Sequence, residues 1–244
     1  NQVHNITINE YDVNGDSDKP IQISVPTGKT GTQLDLNDVN NLKIPEGYHK
    51  ATAAELKGHQ QPTDPTYTAS PQDVKVYVVG NPVKNAVTVH YYLMDETGKV
   101  TTIPVSKDQT SDGQVGQKIT VDPSDQPQQF GGYTLLPNQP KHQWLVTPTT
   151  QEKTTIYYTG DVNSHVVVHY VDANTGKTIS VDRPQGHTGG TLNLDDNSKI
   201  VIPDGYHISD QQDLLNGEKQ PTNPTYTTKD QNVDVFITGD VIAP

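Results

Sequence analysis

The stretch Ile202–Gly239 reads IPDGYHISDQQDLLNGEKQPTNPTYTTKDQNVDVFITG, and Ile44–Gly80 reads IPEGYHKATAAELKGHQQPTDPTYTASPQDVKVYVVG. With one residue inserted near Leu215 or Asn216, the two run together through IP-x-GYH, a Leu-centred polar segment, QPT-x-PTYT and V-x-V-x-x-x-G. They are two copies of one structural unit. A looser relative lies between them, where GYT (Gly132–Thr134) stands for GYH and TTIYYTG (Thr154–Gly160) for the close. The closing glycines Gly80, Gly160 and Gly239 fall 80 and 79 residues apart. A fixed period outranks local readings of a chain, so three units are expected, at 1–80, 81–160 and 161–244.

Working outward, each unit opens on alternation of apolar and polar residues, the mark of a half-buried strand. In unit one, Ile6 and Ile8 alternate, Asn14-Gly15 marks a hairpin turn, and Ile21, Ile23 and Val25 return. In unit two, Val87, Val89, Tyr91 and Leu93 alternate, Asp95–Gly98 turns, and Ile103 and Val105 return. In unit three the same parts are Val166, Val168 and Tyr170, the turn Asn174–Gly176, and Ile179 and Val181. Lys107–Gly116 is polar and reads as loop, while Ile119 and Val121 suggest a further strand. Two short helices are expected. Ala51–Lys57 has Thr52 as N-cap, Glu55 completing a capping box and Gly58 as its end. Asp210–Leu215 has Ser209 as N-cap and Asn216-Gly217 as its end. Leu56 and Leu214 would be their buried contacts.

Composition narrows the function classes. Ile, Leu, Val and Phe make up about 22% of the 244 residues, enough to fold but only around small cores. There is no Cys, hence no disulfide, no thiolate nucleophile and no Cys-containing metal site. A net charge of −12 argues against nucleic acid and anionic membrane as partners. No apolar run is long enough for direct membrane insertion. The chain begins at Asn1, without a visible signal peptide, and reads as a piece of a longer protein.

Taken together, the hairpin V-x-V-H-Y-V-D-x-x-T-G-K, the following G-x-T-G, the GY and the closing V-x-V-x-x-x-G resemble the mucus-binding (MucBP, Mub-type) repeats of cell-surface adhesins from lactic-acid bacteria. The resemblance covers nearly the whole chain. It implies a mostly β, α+β protein of tandem β-grasp, ubiquitin-like modules in an elongated row. Units one and three would be Mub-type modules and unit two a MucBP-like module lacking the PTNPTYT block. It further implies a secreted, cell-wall-anchored surface protein that binds mucin glycoproteins or their glycans, or in some members immunoglobulin. No LPxTG-like motif is present, so the anchor and the signal peptide are expected outside this chain. The chain is expected to act as a monomer. A stalk that projects a binding domain located elsewhere is the alternative role.

No catalytic residue and no cofactor are expected. The sequence has no G-x-S-x-G, H-E-x-x-H, Walker or G-x-G-x-x-G motif and no marked carboxylate pair. A glycan site needs an aromatic face beside amide or carboxylate groups. The lone Trp, Trp144, sits in His142-Gln143-Trp144 and offers such a platform, or else fills the edge of a small core. Tyr67 and Tyr226, in the PTYT blocks, are further ligand candidates, although their recurrence points equally to fold maintenance. Asp12, Asn14, Asp16 and Asp18 space oxygen ligands as calcium loops do. Gly15 is two places early for an EF-hand and Ile23 stands where its Glu belongs, so a plain hairpin turn is the competing reading. Tyr48, Tyr133 and Tyr206 are expected under the sheets. His49, His90, His169 and His207 are expected on strand surfaces or in loops.

Overall fold

The computed structural model describes residues 2–215 and 217–241, and these are mostly β. In chain order the strands are β1 (Gln2–Val3), β2 (Ile6–Asp12), β3 (Gln22–Ser24), β4 (Gly28–Lys29), β5 (Tyr48–Lys50), β6 (Gln72–Gly80), β7 (Pro82–Met94), β8 (Val100–Pro104), β9 (Gln109–Gln114) and β10 (Lys118–Val121). A single 3-10 turn at Pro123–Asp125 precedes β11 (Gln129–Phe130), β12 (Tyr133–Leu135), β13 (His142–Leu145), β14 (Glu152–Gly160), β15 (Val162–Asn163), β16 (Val166–Asp172), β17 (Thr178–Asp182), β18 (Gly186–His187), β19 (Tyr206–Ile208) and β20 (Gln231–Gly239). The described chain divides into two compact units. One comprises Asn1–Val89, Gln109–Asp122 and Lys141–Thr154. The other comprises His90–Asp108, Pro123–Pro140 and Thr155–Pro244.

The first unit holds a four-stranded sheet in the order β3-β2-β6-β5. Its first and last long strands, β2 and β6, pair in parallel from Ile6↔Gln72 to Asp12↔Val78. The second unit holds the same arrangement as β17-β16-β20-β19, with β16 and β20 parallel from Val166↔Gln231 to Asp172↔Ile237. The middle of the chain forms β11-β12-β14-β7-β8, with β9 paired to β7. Lys107–Gly116 is therefore not all loop. Gln109–Gln114 adds β9 along β7, and its side chains are polar because all of them except Gly113 are exposed on this edge.

The expected helices do not form. Thr52 and Glu55 make their capping contacts, with the Thr52 N–H donating to Glu55 Oε2 at 2.9 Å and the Glu55 N–H to the Thr52 carbonyl at 2.9 Å. One turn later the backbone enters the left-handed region at Lys57 (φ 48°) and Gly58 (φ 92°), and the turn ends there. Asp210–Leu215 is likewise a turn, capped by Asp210 rather than Ser209, with the Gln212 N–H on Asp210 Oδ1 at 2.8 Å. Asn216 lies outside the described residues. Leu56 and Leu214 are only half-buried.

Long loops and the PTYT blocks cover the sheets instead. In the first unit Leu34, Leu36, Leu42 and Tyr67 close over Ile6, Ile8, Val74 and Val76. In the second, Leu192, Leu194, Ile200 and Tyr226 close over Val166, Val168, Tyr170, Val235 and Ile237. Each such aliphatic side chain contributes about 1.5–3 kcal/mol by leaving water. The PTYT block is tied down through its backbone. The Tyr67 N–H donates to Thr32 O (2.9 Å) and the Tyr226 N–H to Gly190 O (2.8 Å). The variable residue of QPT-x-PTYT accepts as well, at Asp64 Oδ1 from the Leu36 N–H and at Asn223 Oδ1 from the Leu194 N–H, both at 3.0 Å.

The Gln of QPT has a role of its own. Gln61 Nε2 donates to Ala51 O and Tyr77 O, and its Oε1 accepts the Tyr77 N–H. Gln220 makes the same three bonds to Ser209 O, Phe236 O and the Phe236 N–H. Gln139 makes them to Leu136 O, Tyr157 O and the Tyr157 N–H. The middle sheet thus keeps a Gln-Pro at Gln139-Pro140 although it lacks the rest of the block. In each case a side-chain amide completes the ladder where a neighbouring strand stops.

Candidate functional site

The His142-Gln143-Trp144 platform lies on β13, which pairs with β10 as a separate two-stranded ribbon of the first unit. Trp144 stands opposite Ile119, Gln143 opposite Thr120 and His142 opposite Val121. Alternation puts His142 and Trp144 on one face. Their rings are 5.7 Å apart and within 14° of parallel, and both are half-buried. Gln143 is exposed on the other face, with its Nε2 donating to Thr120 Oγ1 at 3.0 Å. The ribbon packs through Ile119 and Val146 beside Gly113, where an added Cβ would sit 3.0 Å from each.

Tyr67 and Tyr226 are 2% and 3% exposed and belong to the two cores. A Cβ on Gly28 would collide with the Tyr67 ring, and one on Gly186 with the Tyr226 ring. Tyr226 also donates its hydroxyl to Pro184 O at 3.1 Å. Neither ring has a face to offer a sugar, so as ligand candidates both are corrected to core residues. The oxygens of Asp12–Asp18 turn onto their own loop. Asp12 Oδ1 accepts the Asn14 N–H and Asp16 Oδ1 the Asp18 N–H, each at 2.9 Å, and Lys57 Nζ donates to Asn14 Oδ1 at 2.5 Å. Among the described residues no three His, Cys, Asp or Glu side chains converge on a metal position.

The GY residues prove to belong to a joint. In the first unit the Asn81 N–H donates to Gly47 O (2.7 Å), and the Val115 N–H donates in turn to Asn81 O (3.1 Å). His49 Nδ1 lies 2.6 Å from Asn81 Oδ1. A Cβ on Gly80 would collide with the Val115 carbonyl, and one on Gly116 (φ 84°) with the Tyr48 hydroxyl. Burial pushes the Tyr48 phenol up, with the nearby Asp12 carboxylate adding to it. The second unit repeats this. The Asp161 N–H donates to Gly132 O (2.8 Å), the Thr188 N–H to Asp161 O (3.0 Å), and Thr134 Oγ1 to Asp161 Oδ1 (2.6 Å). Gly160 sits on the Thr188 carbonyl, and Gly189 (φ 84°) faces Tyr133. Tyr48 and Tyr133 are therefore half-buried against the loop that follows their sheet, rather than under the sheet. The recurrence of Gly-Tyr and of the closing Gly was the only sign of this in the sequence.

Each joint flanks a cleft. In the second unit a cleft of about 650 Å³ is lined by Leu93, Glu96, Ile103, Leu136, His187 and Gly190. In the first unit one of about 530 Å³ is lined by Asn14, Lys57, Gln114, Gln117 and Lys118. Both fall in the size range of small-molecule sites.

The returning hairpin strands carry a third feature. β3 and β17 are sheet edges, and β8 ends its sheet path as well. Ile23 is 56% exposed, Ile103 48% and Val181 54%. Register explains it. Ile8 pairs with Ser24 on the covered face, so Asn9 and its partner Ile23 share the open one.

Four further His residues hold carboxylates or side-chain amides. His165 Nδ1 and Arg183 Nη1 lie 2.7 and 3.0 Å from Asp230, and together they hold that carboxyl below its usual range. His90 Nδ1 is 2.9 Å from Asp108, and His169 Nε2 is 3.0 Å from Asn232 Oδ1. His207 Nδ1 is 2.8 Å from Asp240, whose hydrogen bond is the chief cause of its raised pKa; Asp213, at 3.6 Å from Nε2, adds to it.

The MucBP domain profile matches residues 86–159 and again 165–236. Among solved structures, Mub-RV shares 17% identity over 65% of this chain and 100% of that chain, with a TM-score of 0.21. The type 2 repeat of the mucus binding protein MUB from Lactobacillus reuteri shares 15% over 64% and 98%, with a TM-score of 0.21. The Bacillus anthracis TIE protein shares 10% over 96% and 50%, with a TM-score of 0.30. No curated protein matches the chain.

Proposed function

The chain belongs to the MucBP domain family, and from that premise we propose that it is a non-catalytic, mucus-binding adhesin module whose targets are mucin glycoproteins, recognised through their glycans. The double family match is the observation that carries the reading. The parent would be a secreted protein held at the bacterial cell wall, and the chain would act as a monomer of tandem modules with the boundaries 1–80, 81–160 and 161–244. The surface best suited to a sugar is the β10/β13 ribbon. His142 and Trp144 supply ring faces there, and Gln143 supplies an exposed amide. A site so shallow binds weakly, and repetition along a surface protein raises the effective concentration of every later contact.

Two other roles have an observation each in their favour. The edge strands β3 and β17 present Ile23 and Val181 to solvent. That suits addition of a partner's strand, as in a protein-binding (immunoglobulin-type) module. The hydrogen-bonded joints suit a stalk, because the most repeated residues of the chain hold one sheet to the next loop.

The deciding experiment is binding of the chain, displayed multivalently, to immobilised mucin before and after enzymatic removal of its glycans. The glycan reading expects binding that falls at least tenfold on deglycosylation and on Trp144→Ala. Binding indifferent to the glycans supports the edge-strand reading. No binding by the folded chain supports the stalk.

A further inference from the structure

The joint is built from two halves, and each half also occurs once uncovered. The upper half is the Gly-Tyr turn with the closing Gly. Gly47 and Gly132 each have side-chain atoms packed where a Cβ would stand, whereas nothing lies within 4 Å of that position at Gly205. Gly80 and Gly160 are buried, whereas Gly239 is exposed. The rest of the third copy is ready. The Asp240 N–H donates to Gly205 O at 2.8 Å, as Asn81 does to Gly47, and His207 holds the Asp240 side chain as His49 holds that of Asn81.

The lower half is the loop ending in a left-handed glycine. Val115-Gly116 and Thr188-Gly189 are its covered copies, and Val115 and Thr188 are buried. Thr30-Gly31 is the third. Gly31 has the same backbone (φ 87°), nothing meets its Cβ position within 4 Å, and Thr30 is exposed. The strand pairs beside the three loops share one register. Gln2 pairs with Lys29, Pro82 with Gln114 and Val162 with His187.

We propose that the Gly205-Tyr206/Gly239-Asp240 face is a docking surface for a further module of this same kind, and that its occupant is a Thr30-Gly31-type loop such as this chain itself carries. The argument is continuity with an interface formed twice already, and it stands whether or not the chain binds mucin. Register fixes the connection. Asn81 precedes Pro82 and Asp161 precedes Val162, so Val241, which follows Asp240, stands in the position of Gln2.

The test is a tandem protein in which Asp240 of one full copy is joined to Gln2 of a second. The chain has no Cys, so spin labels can be placed singly. A reference pair, Glu46→Cys with Lys118→Cys, reports an existing joint in the single chain. The equivalent pair across the new junction is Asp204→Cys in the first copy and Gln33→Cys in the second. The proposal expects the same narrow spin–spin distance distribution from both pairs. A broad distribution across the junction, as a flexible linker gives, overturns it. Thr30→Arg in the second copy is the control. That position is exposed in the single chain, so the fold is retained, but the new junction should turn broad. A junction that stays narrow with Thr30→Arg also overturns the proposal.

Discussion

Replacing Gln220 by Ala tests the side-chain clamp on β20. Gln220 makes three bonds of 2.7, 3.0 and 3.1 Å, two of them to both backbone groups of Phe236. A net value of about 1 kcal/mol per bond gives about 3 kcal/mol as a ceiling. The side chain is half-buried, so water recovers part of this, and about 1–2 kcal/mol remains. That corresponds to roughly 5–30-fold faster amide exchange at Phe236, taking about 1.4 kcal/mol per factor of ten. The chain supplies its own controls. Tyr77 and Tyr157 are clamped in the same way by Gln61 and Gln139, and their amides should not change. Exchange at Phe236 that matches the unmodified chain would refute the reasoning. So would an equal rise at all three amides, because that reports general unfolding.

Three further outcomes are expected. Gly186→Ala should cost about 1–3 kcal/mol, seen as a lower urea midpoint for the second unit, because its Cβ meets the buried Tyr226 ring; Gly131→Ala, with nothing within 4 Å, should leave the midpoint unchanged. Glu10 is fully buried, neither of its carboxylate oxygens has a hydrogen-bond partner, and burial pushes its pKa up. Its folded-state stability is therefore full below the unfolded carboxyl value of about 4.3 and declines as pH rises through the raised folded value, so Glu10→Gln should stabilise the first unit at pH 7 by about 1–3 kcal/mol and make little difference at pH 3. The raised pKa of His207 has the linkage of a cation. The stabilisation it brings is complete below the unfolded value of about 6.5 and disappears as pH rises through the folded one, so the ring-proton titration midpoint should fall in Asp240→Asn, and an unmoved midpoint would rule out the Asp240 contact as its main cause.

The repeat and the long strands were legible because burial enforces period two along β2, β7 and β16. Edge strands were legible as strands but not in phase. Ile21, Ile23 and Val25 alternate as an inward face would, yet they are 39%, 56% and 48% exposed. The turn sets which residue meets Ile8, and Ser24 takes that place. The helix signals at Thr52 and Glu55 were real local contacts, but a cap does not fix length, and the left-handed backbone at Lys57 ends the turn. Of the candidate site, β10 could be read from the alternation of Ile119 and Val121, but its partner β13, which bears Trp144, could not, because its four residues are too few to show a period. The joint could not, because recurrence says that Tyr48 matters without saying that Gly116 is what it touches. Gln139 was missed because two residues, Gln-Pro, are too few to stand out without the PTYT that follows them elsewhere.

The parallel pairing of β2 with β6, and of β16 with β20, has a mechanical meaning. Each sheet takes up the chain at the start of one strand and releases it at the end of the other. Tension drawn along the backbone therefore pulls the two strands past each other along their length. Seven registered positions in each pair share the load at once, from Ile6 to Asp12 and from Val166 to Asp172. A hairpin drawn from its open end gives way one bond at a time, whereas these ladders resist as a set. On the proposed reading of a wall-held adhesin, drag on a tethered cell would load the chain in that direction.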